Sequence, residues 1–305
     1  WIAEIMDCIR THFSIAADAE ITMEANPGTV SPEQLKLCHE AGINRISFGL
    51  QSTVQQELDM LGRIHTYEEF LQSYHWAREA GISNINVDLM FAIPGQTCES
   101  WKHNLETVAE LSPEHISAYS LIIEEGTPFA QKKLILPTED EEYQMYEDTA
   151  EILRKYGFHQ YEISNYARDG FECRHNKGYW QRTEYLGAGL GAASLFRGKR
   201  FSNTRDMQTY LADSTEPEKI REDVTALSRN NEIEEFMFLG LRMTEGISER
   251  QFERNFGCRI EDIYGSVLAK YKEMDLLEHT GEFWRFTRKG IHVSNPVLAD
   301  FLLDE

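Results

Sequence analysis

The sequence predicts an α/β fold followed by a smaller, mainly helical module, and three observations carry that prediction. The first is an internal repeat: residues 40–51 read EAGINRISFGLQ and residues 79–90 read EAGISNINVDLM, 39 residues apart. That spacing is about one helix-plus-strand unit. The second is the alternation of strand-like and helix-like segments around both copies, which implies a parallel sheet or a βα barrel. The third is a change of rhythm after residue 130 and again near residue 228, where the chain turns to helix, helix, helix and a short β wing. Three regions follow: 1–130 (α/β), 131–228 (α+β) and 229–305 (helical, winged-helix-like).

The first segment, Trp1 to Phe13, carries Ile2, Ile5, Met6, Ile9 and Phe13 at the spacing of one helix face. A chain that begins with Trp inside an amphipathic helix reads as a fragment. Ile21–Pro27 (ITMEANP) is strand-like, and Ser31-Pro32-Glu33-Gln34 opens a helix with an N-cap Ser, Pro at its first position and Gln closing a capping box. Each repeat ends a helix at Ala-Gly and enters a strand after a short turn. Thr66 starts the helix that ends near Gly81, another helix runs from about Glu99 to Leu111, and His115–Glu124 (HISAYSLIIE) is the fourth strand. Thr138 caps a helix to about Tyr156, and YEISNYA (161–167) is strand-like. The tail reads Glu232–Thr244, Ser248–Phe256 and Ile260–Leu277 as helices and EFWRFT (282–287) as the wing.

Composition excludes some functions. The formal charge is −21, which repels phosphate backbones, so no nucleic acid is expected as a partner. The third tail helix is acidic as well, with Glu261, Asp262, Glu273 and Asp275 against Lys270 and Lys272, whereas a DNA-reading helix is basic. No apolar run is long enough to span a bilayer and no secretory signal is present, so a cytoplasmic protein is expected. The five cysteines (Cys8, Cys38, Cys98, Cys173, Cys258) are too far apart for a metal clip and read as inert thiols.

In α/β folds ligands meet the C-terminal ends of the strands. The polar residues there are Glu24, Asn26, Gln51 and Asp88. Aligning the repeats sets Asp88 opposite Gly49, so Gln51 and Asp88 should share a face. An Asp inside NVDLMFAI is expensive unless it is hydrogen-bonded or binds a ligand; the alternative is an Asp that caps a neighbouring turn. With Arg63, the set Glu24, Gln51 and Asp88 would suit a zwitterionic ligand bearing a diol.

A second candidate is His175-Asn176-Lys177-Gly178-Tyr179-Trp180. Imidazole is a common axial ligand of porphyrin iron, and Tyr179 and Trp180 could stack on a macrocycle. The alternative is a buried His hydrogen-bonded in a turn. Residues 173–205 hold seven basic residues and one acidic one, a local reversal of charge that would suit haem propionates or pair with acidic surfaces of the fold. A third stretch, Gly187–Ala192, satisfies G-x-G-x-x-A with Asp206 at the distance of a ribose-binding acid. The preceding WQRTEY is too polar for the buried strand of a dinucleotide fold, so the glycines read as a tight backbone passage.

The blocks EANPGT (24–29), SFGLQS (47–52), LGRIHT (61–66) and VDLMFAIPGQT (87–97), with HNKGYW, resemble the radical-SAM haem chaperones and the related oxygen-independent coproporphyrinogen III oxidases. The likeness runs over essentially the whole chain. It implies a partial (β/α) radical-SAM barrel with S-adenosylmethionine contacts at Glu24, Gln51, Arg63, Asp88 and Ile122. It also implies haem at His175, Tyr179 and Trp180, with His175 as the iron ligand. The family's CxxxCxxC motif for a [4Fe–4S] cluster and its GGGTP-like stretch are missing, so the chain alone should hold no cluster and perform no radical reaction. The leading expectation is a haem carrier that delivers haem to respiratory membrane proteins. The alternative is oxidative decarboxylation of coproporphyrinogen III; an RNA-modifying enzyme and a degenerate structural module complete the readings.

Overall fold

The computed structural model describes residues 1–127 and 129–303, which divide into two compact units, Trp1–Cys173 and Arg174 onward. In chain order the first unit holds α1 (Ile2–His12), β1 (Thr22–Ala25), α2 (Pro32–Glu40), β2 (Arg45–Gln51), α3 (Gln55–Met60), α4 (Tyr67–Glu79), β3 (Asn84–Phe91), α5 (Cys98–Glu110), β4 (His115–Ser120), α6 (Glu139–Lys155), β5 (His159–Gln160) and β6 (Asn165–Ala167). Its sheet has the order β1-β2-β3-β4-β6-β5, with β1 to β4 parallel and the last two joined antiparallel. The α/β reading and its four parallel strands are borne out.

The local signals act as the residue types require. Ser31, Thr66 and Thr138 each accept the N3 amide and receive a side chain in return, closing capping boxes on α2, α4 and α6. Alternation then sorts the strands. One face carries Ile46, Phe48, Leu50, Ile85, Val87, Leu89, Phe91 and Ile116, all buried against α4, α5 and α6. Trp101 at the centre of α5 is fully buried, and its indole N–H donates to Met145 O (3.0 Å) and Thr149 Oγ1 (2.9 Å). The other face carries Glu24, Ser47, Asn86, Asp88, His115 and Ser117 in register. That polar face is where chemistry can happen.

Some elements differ from expectation. In α1 the residue buried is Met6, while Ile5, Ile9 and Phe13 face solvent. β4 stops at Ser120, after which the chain leaves the sheet to line a cavity. YEISNYA is a strand over its last three residues alone, because the Glu162 carboxylate accepts from Ser164 N (2.7 Å) and Asn165 Nδ2 (2.6 Å) and forces a turn. The first unit therefore continues past residue 130: α6 packs on α5 and β6 pairs with β4.

The second unit holds α7 (Arg174–Trp180), β7 (Ala193–Phe196), β8 (Lys199–Asn203), α8 (Met207–Asp213), α9 (Pro217–Ile220), β9 (Arg221–Ala226), α10 (Arg229–Gly240), β10 (Ile247–Ser248), α11 (Glu249–Phe256), α12 (Ile260–Glu273), β11 (Leu277–Thr280), β12 (Phe283–Phe286), α13 (Arg288–His292) and α14 (Ser294–Ala299). Residues 174–228 and 229–303 belong to this one unit, with β7-β8-β9 as one sheet and β10-β12-β11 as the wing. Its core is built on Phe236, Met237, Phe252, Tyr264, Leu268, Trp284 and Phe301.

Gly246 shows how tightly the wing closes. Its φ is 84°, and a Cβ there would collide with Trp284 O. Gly246→Ala is expected to destabilise this unit by roughly 2–4 kcal/mol, read by urea denaturation. Gly265→Ala, within α12 and with its nearest neighbour 3.8 Å away, should instead stabilise by up to about 1 kcal/mol. Equal shifts in the two variants would refute the collision at Gly246.

Candidate functional site

Between Phe48 and Gln51 the pairing of β2 with β3 slips by one residue, so that Phe48 opposes Val87 and Gln51 opposes Leu89. Gln51 takes φ 73°, a left-handed conformation rare for a residue with a side chain. Simple alternation therefore fails past Gly49. The side chain still reaches the polar face: a Cβ on Gly49 would lie 3.2 Å from Gln51 Nε2 and 2.9 Å from Arg63 Nη2. Gly49 thus leaves room for both groups. Arg63 Nη2 donates to Gly49 O (2.6 Å) and to Asn26 Oδ1 (3.0 Å), tying the ends of β1 and β2 together. Its Nε is buried and has no hydrogen-bond partner.

Gln51, Arg63, Met90, Ile122, Glu124 and Phe129 line a cavity of about 360 Å³, within the size range of small-ligand sites. Three of the five expected nucleoside contacts, Gln51, Arg63 and Ile122, thus meet at one cavity. Asp88 and Glu24 lie on the same sheet face but are not among its lining residues, and Glu24 is exposed on the edge strand β1. Asp88 is half-buried; Asn86 Nδ2 (2.7 Å) and Ser47 Oγ (3.1 Å) donate to its two oxygens. Burial pushes its carboxyl above the usual range, those hydrogen bonds oppose the shift, and neighbouring Glu24 adds to it. Behind Asp88, His115 Nδ1 contacts Asn86 Oδ1 (2.5 Å) and His115 Nε2 contacts the Tyr161 hydroxyl (2.8 Å). Burial, with Arg45 nearby, holds His115 well below its ordinary value, so it is neutral at pH 7.

The loop after β2 is fixed by a buried carboxylate. Glu57 accepts from Ser52 Oγ (2.6 Å), Ser100 Oγ (2.5 Å), Gln96 Nε2 (2.9 Å) and Asn104 Nδ2 (3.2 Å). This hub joins α3 and α5 to the residues directly after Gln51.

In the second unit α7 is the HNKGYW segment itself. His175 is exposed and meets Tyr179 edge-on with ring centroids 4.6 Å apart; Tyr179 meets Tyr185 in the same way at 4.7 Å. Tyr179, Trp180, Tyr185, Leu195, Arg200 and Phe238 line a cavity of about 370 Å³. The Trp180 indole N–H is buried without a hydrogen-bond partner, and Arg242 lies over the ring at 4.3 Å. The local excess of positive charge is partly used within the fold: Arg182 (3.0 Å) and Arg200 (2.9 Å) share the Glu235 carboxylate. Arg197, Lys199 and Arg205 are exposed and form no ion pair among the described residues. The Gly187–Ala192 stretch leads into a strand, not a helix, and Gly187 admits no Cβ against Ala193 O. Asp206 caps α8 by accepting from Thr209 N (2.7 Å), which accounts for that acid without a ribose.

A sequence profile of the Radical SAM superfamily matches residues 2–108, and one of the HemN C-terminal domain matches residues 227–293. Heme chaperone HemW of Lactococcus lactis subsp. lactis is 37% identical over 308 residues, covering all of this chain and 81% of that protein. HemW of Bacillus subtilis is 37% identical (99% of this chain, 81% of that protein), and HemW of Escherichia coli K12 is 32% identical (98% and 79%). The chain belongs to the HemW family. The fold agrees: the solved structure of coproporphyrinogen III oxidase (HemN) from Escherichia coli, described as a Radical SAM enzyme, superposes with a TM-score of 0.85. At 23% identity it covers 99% of this chain and 74% of that one.

Radical-SAM membership brings S-adenosylmethionine and a [4Fe–4S] cluster into question. For the nucleoside the residues fit, since the cavity offers an unpartnered buried guanidinium nitrogen, an amide and an apolar wall. For the cluster they do not. The cysteines are all free, and among the described residues no group of three or more His, Cys, Asp or Glu could hold a metal ion. No described helix is long and apolar enough to cross a membrane.

Reading strand ends missed the supporting residues Asn86, His115, Ser117 and Glu57. The first three did carry a signal: NINVDL and HISAYS put Asn86, Asp88, His115 and Ser117 at period two, the mark of a strand with one polar face. Glu57 carried none, because nothing local separates it from a surface helix acid.

Proposed function

We propose that the chain is a haem-binding chaperone on the radical-SAM scaffold, cytoplasmic, that delivers haem to respiratory membrane proteins. The observation that carries this reading is similarity along nearly the whole chain to proteins named heme chaperone HemW, at 32–37% identity. Support comes from the second unit. An exposed imidazole at His175 could ligate haem iron, Tyr179 and Trp180 could stack on the macrocycle, and Arg197, Lys199 and Arg205 could meet its propionates.

In the first unit Gln51, Arg63, Asp88, Glu24 and Ile122 would hold S-adenosylmethionine. Arg63 would pair with the methionyl carboxylate, Asp88 and Glu24 would accept from hydroxyl or ammonium groups, and Ile122 would pack on the adenine. When bound, S-adenosylmethionine supplies a sulfonium whose cleavage needs an electron donor. The described residues do not form a cluster site, so no radical step is assigned to this chain.

The test is a haemin titration followed by the Soret band, with His175→Ala in parallel. Saturable binding that the variant weakens at least about tenfold is expected for loss of an axial ligand. Equal binding by both would remove haem from α7. Anaerobic incubation with coproporphyrinogen III separates the alternative: loss of two propionate carboxyls would overturn the chaperone reading in favour of the oxidase.

A further inference from the structure

We infer that His115 is a positioning residue for Asp88, acting through the Asn86 amide, and that this relay aims the carboxylate at the hydroxyl groups of a nucleoside. The inference rests on the proposed role of Asp88 as a ligand contact. What it adds is a set of residues behind the site, on β3 and β4, to which nothing in the ligand reading gives a role.

Each hydrogen bond of the relay has one possible direction. Asn86 Nδ2 lies 2.7 Å from Asp88 Oδ1 and 2.7 Å from Ser47 Oγ. A carboxylate oxygen accepts, so the amide nitrogen must face it and the amide oxygen must face the other way. That oxygen receives His115 Nδ1 at 2.5 Å and Ser117 Oγ at 3.1 Å. An amide oxygen also accepts only, so the His115 proton sits on Nδ1. The ring is then left with Nε2 as an acceptor, and the Tyr161 hydroxyl donates to it at 2.8 Å. Ser47, having accepted from Asn86, donates to the second carboxylate oxygen at 3.1 Å.

Ser47, Asn86, His115 and Ser117 are all nine-tenths or more buried, so water cannot readily replace a missing partner. The chain of donors runs from Tyr161 through His115 and Asn86 to Asp88. If the His115 donor is removed, the Asn86 amide oxygen keeps Ser117 as its one remaining donor, and the amide holds Asp88 less firmly in place. His115 thus acts at one remove, without touching a ligand.

The experiment is calorimetric titration of the chain with S-adenosylhomocysteine, comparing the parent with Asp88→Ala, His115→Leu and His115→Gln. Asp88→Ala should weaken binding tenfold or more, and His115→Leu by about tenfold. His115→Gln should stay within about twofold, because Gln offers an N–H to Asn86 and a carbonyl to Tyr161. Loss in Asp88→Ala with parent-like binding in His115→Leu would overturn the relay and leave the ligand reading standing. Parent-like binding in Asp88→Ala would overturn both. If His115→Leu lacks a cooperative melt, Tyr161→Phe replaces it. That variant frees the ring to change tautomer and should weaken binding about threefold; unchanged affinity would overturn the relay. Nitrogen-15 spectra give an independent readout. The Nδ1–H tautomer is expected at pH 7, and the Nε2–H tautomer or an imidazolium would refute the assignment.

Discussion

Replacing Asp88 with Asn is expected to weaken S-adenosylhomocysteine binding by about 100-fold while the melting temperature of the chain stays level or rises by roughly 2 °C. The two halves of this result have one cause. Burial raises the Asp88 carboxyl above the usual range, and the donors from Asn86 and Ser47 oppose that shift. A carboxyl whose folded-state value is raised favours the folded state at low pH and loses that contribution as the pH rises through the folded value. Above that value the charge is a cost to the fold. The amide of Asn has no such cost. It can keep the contact from Asn86 through its oxygen, while the Ser47 hydroxyl rotates to accept from its nitrogen. What it cannot do is accept at both positions, so a ligand diol loses its charged acceptor. Binding and melting are measured on the same samples. A variant that loses binding and stability together would mean that Asp88 is a structural residue, as the turn-capping alternative supposes.

The parts of the molecule legible in the sequence were those fixed by local rules. The repeat at 40–51 and 79–90 gave β2 and β3, and Ser31, Thr66 and Thr138 marked helix starts that the capping boxes realise. The polar positions Gln51 and Arg63 reached one cavity with Ile122. Other features depended on partners far along the chain. The slip after Phe48 is invisible to alternation, because a bulge is set by pairing with β3. The turn at Glu162 comes from a side chain capturing backbone that was predicted to pair in a sheet. The sequence left open whether Arg182 and Arg200 meet a ligand or an acidic surface of the fold, and Glu235, 53 and 35 residues away, takes both.

Replacing Glu57 with Leu should destabilise the first unit by about 3–5 kcal/mol, whereas Glu57→Gln should cost about 1 kcal/mol or less. Four donors converge on this carboxylate in a buried setting, and Leu accepts from none of them. Gln keeps one oxygen for Ser52, Gln96 and Asn104 and places its nitrogen toward Ser100, whose hydroxyl can rotate to accept. The difference between the variants therefore measures the hydrogen bonds, with side-chain size nearly constant. The consequence extends to the site, because Ser52 follows Gln51, whose backbone is held at φ 73°. A loop released from Glu57 can relax that strain and withdraw the amide from the cavity. Urea denaturation gives the stability difference, and S-adenosylhomocysteine titration at low temperature, where Glu57→Leu is still folded, should show weaker binding in that variant alone. Equal stability of the two variants would mean that Asn104 alone holds the loop, through the Thr53 amide at 2.5 Å, and that the buried carboxylate has no part in shaping the site.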